Sequence, residues 1–378
     1  MGSFSRDAGD ESTRQASGRS SSCGIRNWRR PIWTWGVLLS GALSLSGLAA
    51  RWAFGADSSS PSEPALSAAL PLGLPRLPRL LEGSPSPGMI ELGKQLFFDP
   101  RLSADSTISC ASCHDPDKGW SNGEAIAVGI GGQAGTRNGP TGVNSVYALH
   151  YFWDGRSASL EDVVPQPIQH PAEMGLSLED AENRINAIAG YRAQFHELFG
   201  SDASRETIAA SIAAFLRTLV AGNSPYDRFR AGDLEALSPA ARRGHDVFFF
   251  RSNCQMCHRG PLLTDGGFHN LGVGMDADAP DIGRAAVTGD HQFDTGAFRT
   301  PSLRDVSRTA PYMHDGRFQT LEEVLDFYVE AGFLNTHRMQ MLNILVLDDQ
   351  ELADLATFLR EGLTSDDYPT VERPELPE

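Results

Sequence analysis

Two copies of one short pattern place two thiols beside an imidazole. Each copy reads Cys-x-x-Cys-His, and the residues are Cys110, Cys113 and His114 in the first, and Cys254, Cys257 and His258 in the second. One helical turn brings both sulfurs and the imidazole to the same ring, and this is the attachment pattern of c-type haem. The sequence therefore predicts two covalently attached haems, with His114 and His258 as the proximal ligands of the iron.

A structural zinc site is the alternative, because two Cys-x-x-Cys pairs also suit tetrahedral zinc. Only 10 of the 378 residues are His. Chance would put His after both pairs less than about once in a thousand such sequences, so haem is favoured. The fifth cysteine, Cys23, stands alone, and the count is too low for a disulfide framework.

Composition and charge exclude several classes of protein. Hydrophobic residues make up 40% and charged residues 21%, which argues against wholesale disorder and against a polytopic membrane protein. The net charge is −16, from 32 basic and 48 acidic residues. An acidic chain is a poor partner for nucleic acid and a better one for a basic protein.

The N-terminal region has the features of an export signal. Arg26, Arg29 and Arg30 precede an uncharged apolar run over residues 31–50, and small residues follow it. We interpret residues 1–56 as a signal cleaved after Ala50 or Ala56, with a retained membrane anchor as the alternative. Either reading places the rest of the chain in the periplasm. Residues 57–88, rich in Pro and Ser, read as a linker.

The remaining chain has helical patterns and no long alternation of period two, which predicts an all-α fold. Helices are expected over 205–220 and 347–362, after Pro239, and after the capping box that begins at Thr320. A segment ending in aromatics precedes each Cys-x-x-Cys-His motif, at 93–98 and 244–250. We therefore expect two cytochrome c-like domains, each wrapped on one haem with long loops, at 89–232 and 233–365. Residues 366–378 form a tail.

Further motifs resemble those of the bacterial dihaem cytochrome c peroxidase and MauG family. They are FFDPRLS at 97–103, FWDGR at 152–156, RTPSLR at 299–304 and APYMHDG at 310–316. The resemblance covers residues 89–365. It implies that the N-terminal haem is the site of peroxide chemistry and that the C-terminal haem receives electrons from a partner.

The resemblance also assigns roles to two residues between the haem motifs. Trp153 matches the tryptophan that relays electrons between the haems, although alone it would read as a core aromatic. Glu173 matches the carboxylate that moves a peroxide proton, a role that general acid–base chemistry requires near the bound oxygen. Without the resemblance, Glu173 would read as a solvated acid at a helix start.

Two positions depart from the family pattern. Relatives that need reductive activation carry a distal His in the loop after the first motif, but residues 128–137 contain none. His150 and His170 follow later, outside the matching place. We therefore predict an open sixth position on the first haem. Val163 stands where a pocket glutamine is common, which removes one hydrogen-bonding group.

The second haem needs a sixth ligand, and Tyr328 is the favoured residue. Peroxidases of the family have Met at the matching position, whereas MauG-type proteins have Tyr. Leu321, Val324 and Leu325 share a helix face with Tyr328 by their spacing. A phenolate stabilises oxidised iron and should lower its potential. The alternative sixth ligands are Met275, Met313, His314, Met339 and Met341. In that case Tyr328 would be an ordinary core residue.

The resemblance further implies a calcium ion between the two domains. Its ligands match the side-chain oxygen of Asn138 and the backbone carbonyls of Thr309 and Pro311. Ligands that are all oxygen suit Ca²⁺.

Three functions follow. The first is a periplasmic peroxidase that reduces hydrogen peroxide to water with electrons from a small cytochrome c or cupredoxin. The second is a MauG-like oxidase that modifies residues of a protein substrate; Tyr328 favours it, but no Trp follows Trp153 to carry a hole outward. The third is a non-enzymatic electron carrier. Peroxide reduction is the favoured function, and the sequence leaves a homodimer open.

Overall fold

The fold is built mainly from short helices joined by long loops. The computed structural model describes residues 70–77, 85–330 and 345–378. The predicted export segment lies outside these residues, and none of the described helices has both the length and the apolar character needed to cross a membrane.

The helices of the first half are joined by long loops, and one short helix contains the two cysteines of the first motif. They are α1 (Pro87–Phe98), α2 (Cys110–Cys113), α3 (Leu160–Val163), α4 (Pro165–Gln169), α5 (Leu178–Asn186), α6 (Ala189–Phe199) and α7 (Arg205–Leu216). Those of the second half are α8 (Pro225–Arg230), α9 (Pro239–Asp246), α10 (Ala285–Thr288), α11 (Leu321–Val329) and α12 (Asp349–Thr357). Wider turns, Val247–Arg251 and Phe358–Gly362, extend α9 and α12.

Two strands, β1 (Phe268–His269) and β2 (Phe298–Arg299), pair antiparallel. The described residues are therefore rich in helix with little sheet, which agrees with the helical fold predicted from the sequence.

Local sequence explains where several helices begin. Pro239 is the first residue of α9, and the Ser238 hydroxyl accepts the N–H of Ala241. Thr320 and Glu323 form the predicted capping box of α11. The expected helix over 205–220 ends earlier, at Leu216. Tighter turns follow, in which Thr218 donates its N–H to Phe215 and Leu219 to Leu216, and the Leu219 carbonyl accepts the N–H of the distant Asn144 at 2.8 Å.

Each half has a hydrophobic core in which a glycine permits close helix packing. A methyl group on Gly93 of α1 would lie 1.8 Å from the Ser211 oxygen of α7. A methyl group on Gly244 of α9 would lie 1.9 Å from the Asp354 oxygen of α12. Both glycines start the aromatic segments that precede the two motifs, so the sequence repeat corresponds to a repeated helix crossing. The helices that carry these segments help to build the walls around the motifs.

Both flanking segments pack against the body. In the N-terminal stretch, the Leu72 carbonyl accepts the N–H of Asn223 at 2.8 Å. In the tail, the Pro369 carbonyl accepts the indole N–H of Trp120 at 3.1 Å, and Tyr368 and Val371 pack against the first core. The tail therefore crosses from the second half back to the first.

Candidate active site

Both Cys-x-x-Cys-His motifs lie on the wall of one cavity of about 970 Å³. The walls are largely apolar, with Phe97, Ile212 and Leu216 near the first motif and Phe248, Leu321 and Leu355 near the second. All four thiols are unpaired. Burial raises the pKa of Cys110 to about 12, so that thiol is neutral in the folded chain. An apolar cavity of this volume, lined by two sets of thiols, suits two flat hydrophobic ligands.

The two histidines of the motifs are held in the same way. The Nδ1 atom of His114 lies 3.4 Å from the Trp120 carbonyl, and that of His258 lies 3.0 Å from the Leu263 carbonyl. A carbonyl only accepts, so each Nδ1 carries the proton and each Nε2 keeps its lone pair. Burial lowers the pKa of both imidazoles, which keeps them neutral. A neutral, oriented imidazole is what an iron ligand requires.

The residues that orient these histidines are themselves constrained. Trp120 and Leu263 are fully buried, and both have positive φ, at 56° and 51°. A left-handed backbone is unfavourable for such side chains and persists only where packing fixes it. The two motifs therefore share a device that aims a carbonyl at the imidazole, which sequence reasoning did not identify.

A half-buried cation on the cavity wall completes the chemical fit to haem. Arg299 lines the cavity, where burial lowers the pKa of its guanidinium, and its Nε donates to the Phe152 carbonyl at 3.4 Å. A buried charge is costly unless an opposite charge accompanies it. The carboxylates of a haem are such partners, so the residues on the wall fit the group that the motifs imply.

Trp153 is held on the cavity wall by residues from both halves. Its indole N–H donates to the Asn138 carbonyl at 2.8 Å, and its own carbonyl accepts the N–H of Arg299 at 2.8 Å. Its ring lies 6.5 Å from that of His314, measured between centroids. The side chain is half-buried and fixed in orientation.

Glu173 also lines the cavity, with 38% of its side chain exposed. Its carbonyl accepts the N–H of Ile130, from the glycine-rich loop at 128–137 that contains no His. His170 lines the cavity as well, and its Nδ1 lies 3.5 Å from Oε1 of Glu173. Sequence reasoning set His170 aside with His150, although the i, i+3 spacing to Glu173 was a signal. His150 packs instead against Phe268.

Tyr328 lies in the last turn of α11 and faces the cavity with Leu321, Val324 and Leu325, as their spacing predicts. Burial raises the pKa of its phenol. Among the alternative ligands, Met313 and His314 also line the cavity. Met339 and Met341 lie outside the described residues. Val163, at the position where a glutamine is common, lines the cavity too.

The three residues matched to a calcium site, Asn138, Thr309 and Pro311, all line the cavity. Asn138 is buried, and its side-chain N–H groups donate to Oδ1 of Asn122 at 3.3 Å and to the Glu124 carbonyl at 2.9 Å. The Oδ1 atom of Asn138 is therefore the side-chain atom left to face a cation. Thr309 and Pro311 line the cavity from the other half.

One acid–histidine pair beside the second motif was not anticipated. His269 and Asp265 are joined by a contact of 2.9 Å between Nε2 and Oδ2, and their ligand atoms lie within 4.8 Å of the Cys257 sulfur. Because Cys257 belongs to the haem motif, we do not interpret this group as a separate metal site.

Comparison with known proteins agrees with this geometry. The family model for di-haem cytochrome c peroxidase matches residues 87–235. The methylamine utilization protein MauG of Methylorubrum extorquens is 38% identical over 77% of this chain and 82% of its own. The cytochrome-c peroxidase IdrP1 of Denitromonas iodatirespirans is 37% identical over 81% of this chain and 90% of its own.

Among solved structures, a MauG-like protein associated with microbial copper homeostasis superposes with a TM-score of 0.71. It is 34% identical, and the match covers 78% of this chain and 95% of that one. Relatives named MauG and relatives named cytochrome-c peroxidase thus match this chain about equally well. The chain belongs to the dihaem cytochrome c peroxidase and MauG family of oxidoreductases, which carry two c-type haems.

Proposed function

We propose that this protein is a periplasmic peroxidase that reduces hydrogen peroxide to water with electrons from a small cytochrome c or cupredoxin. The observation that carries the proposal is the single cavity that connects both haem motifs and has Glu173 and Trp153 on its wall. One site then contains a proton-transfer group, an aromatic relay and two positions for redox cofactors.

The first haem would be held by Cys110, Cys113 and His114, and the second by Cys254, Cys257 and His258. When bound, haem supplies an iron that binds peroxide at the first position and exchanges electrons at the second. The carbonyls of Trp120 and Leu263 keep both imidazoles in the tautomer that binds iron.

Glu173 performs the proton chemistry in this proposal. Its carboxylate accepts the proton from one peroxide oxygen and returns it to the other, so that the second oxygen leaves as water. The hydrogen bond from Ile130 to the Glu173 carbonyl holds the backbone that carries this carboxylate. The first haem position needs an exchangeable site for peroxide, and the absence of His from residues 128–137 supports it.

Trp153 relays electrons toward the peroxide site; the Asn138 carbonyl holds its indole N–H, and the Arg299 N–H holds its backbone carbonyl. Tyr328 would hold the second haem iron as an anionic donor, which would lower the potential of that haem. Asn138, Thr309 and Pro311 would hold a calcium ion that joins the residues around Trp153 to the second half. This last role is supported by the contact between the Asn138 N–H and the His314 carbonyl, at 2.7 Å.

A second candidate function is the oxidation of a protein substrate. Tyr328 on the cavity wall favours it, as do relatives named MauG. In that case the electrons would come from side chains of a partner protein, and those side chains would be oxidised. Glu173 and Trp153 would keep the same roles.

The test uses electron paramagnetic resonance and optical spectra of the resting diferric holoprotein, before and after one equivalent of peroxide. We expect one high-spin and one low-spin haem, a prompt change on adding peroxide, and a rapid return with reduced cytochrome c. A peroxide-induced state that persists with the donor present would support protein oxidation. Two low-spin haems that ignore peroxide would leave only an electron carrier.

The variant Glu173→Gln tests proton transfer separately from haem binding. It should keep both haems and their spin states but slow the reaction with peroxide by about a hundredfold or more. Glu179→Gln, at an exposed position of helix α5, is the matched control and should react like the unmodified protein.

A further inference from the structure

We propose that His170 is a relay residue that carries protons from solvent to Glu173 during peroxide reduction. The inference rests on the function proposed above and adds to it a path for the protons that the reaction consumes. His170 acts through Glu173 and not on peroxide itself, so its role is to supply and position a proton.

A tight turn brings the two side chains together. The His170 carbonyl accepts the N–H groups of Glu173 and Gly175, both at 3.0 Å. This turn places Nδ1 of His170 3.5 Å from Oε1 of Glu173, within reach of a direct or water-mediated transfer. The side chain of His170 is 52% exposed, more than that of Glu173 at 38%. His170 therefore contacts solvent while lining the same cavity as Glu173.

The neighbouring loop fixes this turn from the other side. The N–H of Ile130 donates to the Glu173 carbonyl at 2.9 Å, and the Gln133 amide donates to the Pro171 carbonyl at 3.3 Å. A methyl group on Gly129 would lie 2.1 Å from the Ala172 oxygen, so the two backbones are in direct contact. The geometry of the pair is thus set by packing on both sides.

Neutral groups from two neighbouring elements contact the segment that carries the pair. The glycine-rich loop presents the neutral Gln133, and helix α4 presents the Gln166 carbonyl, which accepts the His170 N–H at 3.0 Å. His170 makes its ion-pair contact with Glu173.

The stoichiometry requires such a path. The overall reaction is H₂O₂ + 2 e⁻ + 2 H⁺ → 2 H₂O, with both electrons from the reduced redox protein. Cleaving the O–O bond needs only a proton that peroxide already carries, moved between its oxygens by Glu173. Converting the remaining oxygen to water needs two protons from solvent. An imidazole between solvent and the carboxylate can donate one, regain it from water and donate again.

This division gives a test in single-turnover stopped flow on the holoprotein. In His170→Ala, the optical change caused by one equivalent of peroxide should keep its rate. The return to the resting spectrum with reduced cytochrome c should slow about tenfold or more and show an increased solvent deuterium isotope effect. Added imidazole should restore the return rate in proportion to its concentration, because the site is open to solvent. His170→Asn, of similar size and without a titratable group, should behave like His170→Ala.

His196→Ala is the matched control. Like His170, His196 is half-exposed and contacts a carboxylate, that of Asp202 at 2.7 Å, but it lies on helix α6. It should leave both phases unchanged. Equal return rates in the unmodified protein and both His170 variants, or slow return without rescue by imidazole, would overturn the relay. If the unmodified protein shows no response to peroxide, the proposed function fails instead, and the two failures are distinct.

Discussion

The indole N–H of Trp120 donates to the carbonyl of Pro369, 249 residues further along the chain, at 3.1 Å. The carbonyl of the same Trp120 lies 3.4 Å from Nδ1 of His114. One fully buried residue therefore connects the C-terminal tail with the proximal side of the first haem motif. Phe97 and Phe215 pack against its ring, each with centroids 6.0 Å away, and hold it in place.

Trp120→Phe should lower the free energy of unfolding by about 1 to 3 kcal/mol, because the Pro369 carbonyl loses its buried donor. The measurement is denaturant unfolding of the holoprotein. In a chain that ends at residue 368 the same substitution should have a smaller effect, because only the cost of the lost packing remains. Equal effects in both backgrounds would show that the hydrogen bond to the tail contributes nothing.

The ion pair between Arg304 and Asp227 should be a major determinant of stability. Both side chains are 2% exposed, and the guanidinium makes two hydrogen bonds to the carboxylate, at 2.7 and 2.8 Å. Arg304→Met leaves a buried carboxylate without its partner and should destabilise the protein by about 3 to 5 kcal/mol. Arg205→Met, which breaks a more exposed pair with Glu182, should change stability by less than about 1 kcal/mol. Thermal unfolding that does not distinguish these variants would contradict the prediction.

Stability should fall in acid partly through Asp354. A hydrogen bond from Arg243 lowers the pKa of this carboxyl. A carboxyl whose pKa is lower in the folded state contributes fully to stability when the pH is above its pKa in the unfolded chain, about 3.9 for Asp. That contribution is lost as the pH falls through the lowered pKa of the folded state. The melting temperature of Asp354→Asn should therefore lie below that of the unmodified protein at pH 7, and the gap should narrow below about pH 4. Arg243→Met should show the same narrowing, and a gap independent of pH would refute this cause.

Tyr328→Met should raise the midpoint potential of the second haem, because a neutral thioether replaces an anionic donor that stabilises oxidised iron. Potentiometry should show the change at one haem only, with the low-spin paramagnetic signal altered and the other haem unchanged. Tyr328→Phe removes the donor without replacing it and should alter the low-spin signal as well. An unchanged potential in both variants would show that another residue binds the iron.

The sequence was informative where structure is local. The capping box at Thr320 and the start of α9 at Pro239 depend on residues a few positions apart, and both are found as predicted. Contacts between distant segments left no local signal. Nothing near Trp120 indicates that Pro369 would reach it, and nothing near Leu219 indicates that Asn144 would donate to its carbonyl.

The site shows the same contrast between what local sequence spacing predicts and what tertiary packing determines. The haem motifs could be identified by spacing alone, whereas the carbonyls of Trp120 and Leu263 depend on left-handed backbones that packing enforces. The roles of Glu173, Trp153, Tyr328 and the calcium ligands stay predictions, although all of these residues line one cavity. His170 was overlooked because it was considered only as an iron ligand and not as a neighbour of Glu173.

The path of the tail sets an order of events during biosynthesis. Tyr368 and Val371 pack against the core of the first half, and Pro369 supplies the acceptor for Trp120. Domains at the start of a chain usually fold first as the ribosome proceeds. Here the first half lacks these contacts until residues 368–371 have been made. We therefore expect Cys110 and Cys113 to stay accessible to the haem-attachment reaction until that segment has packed.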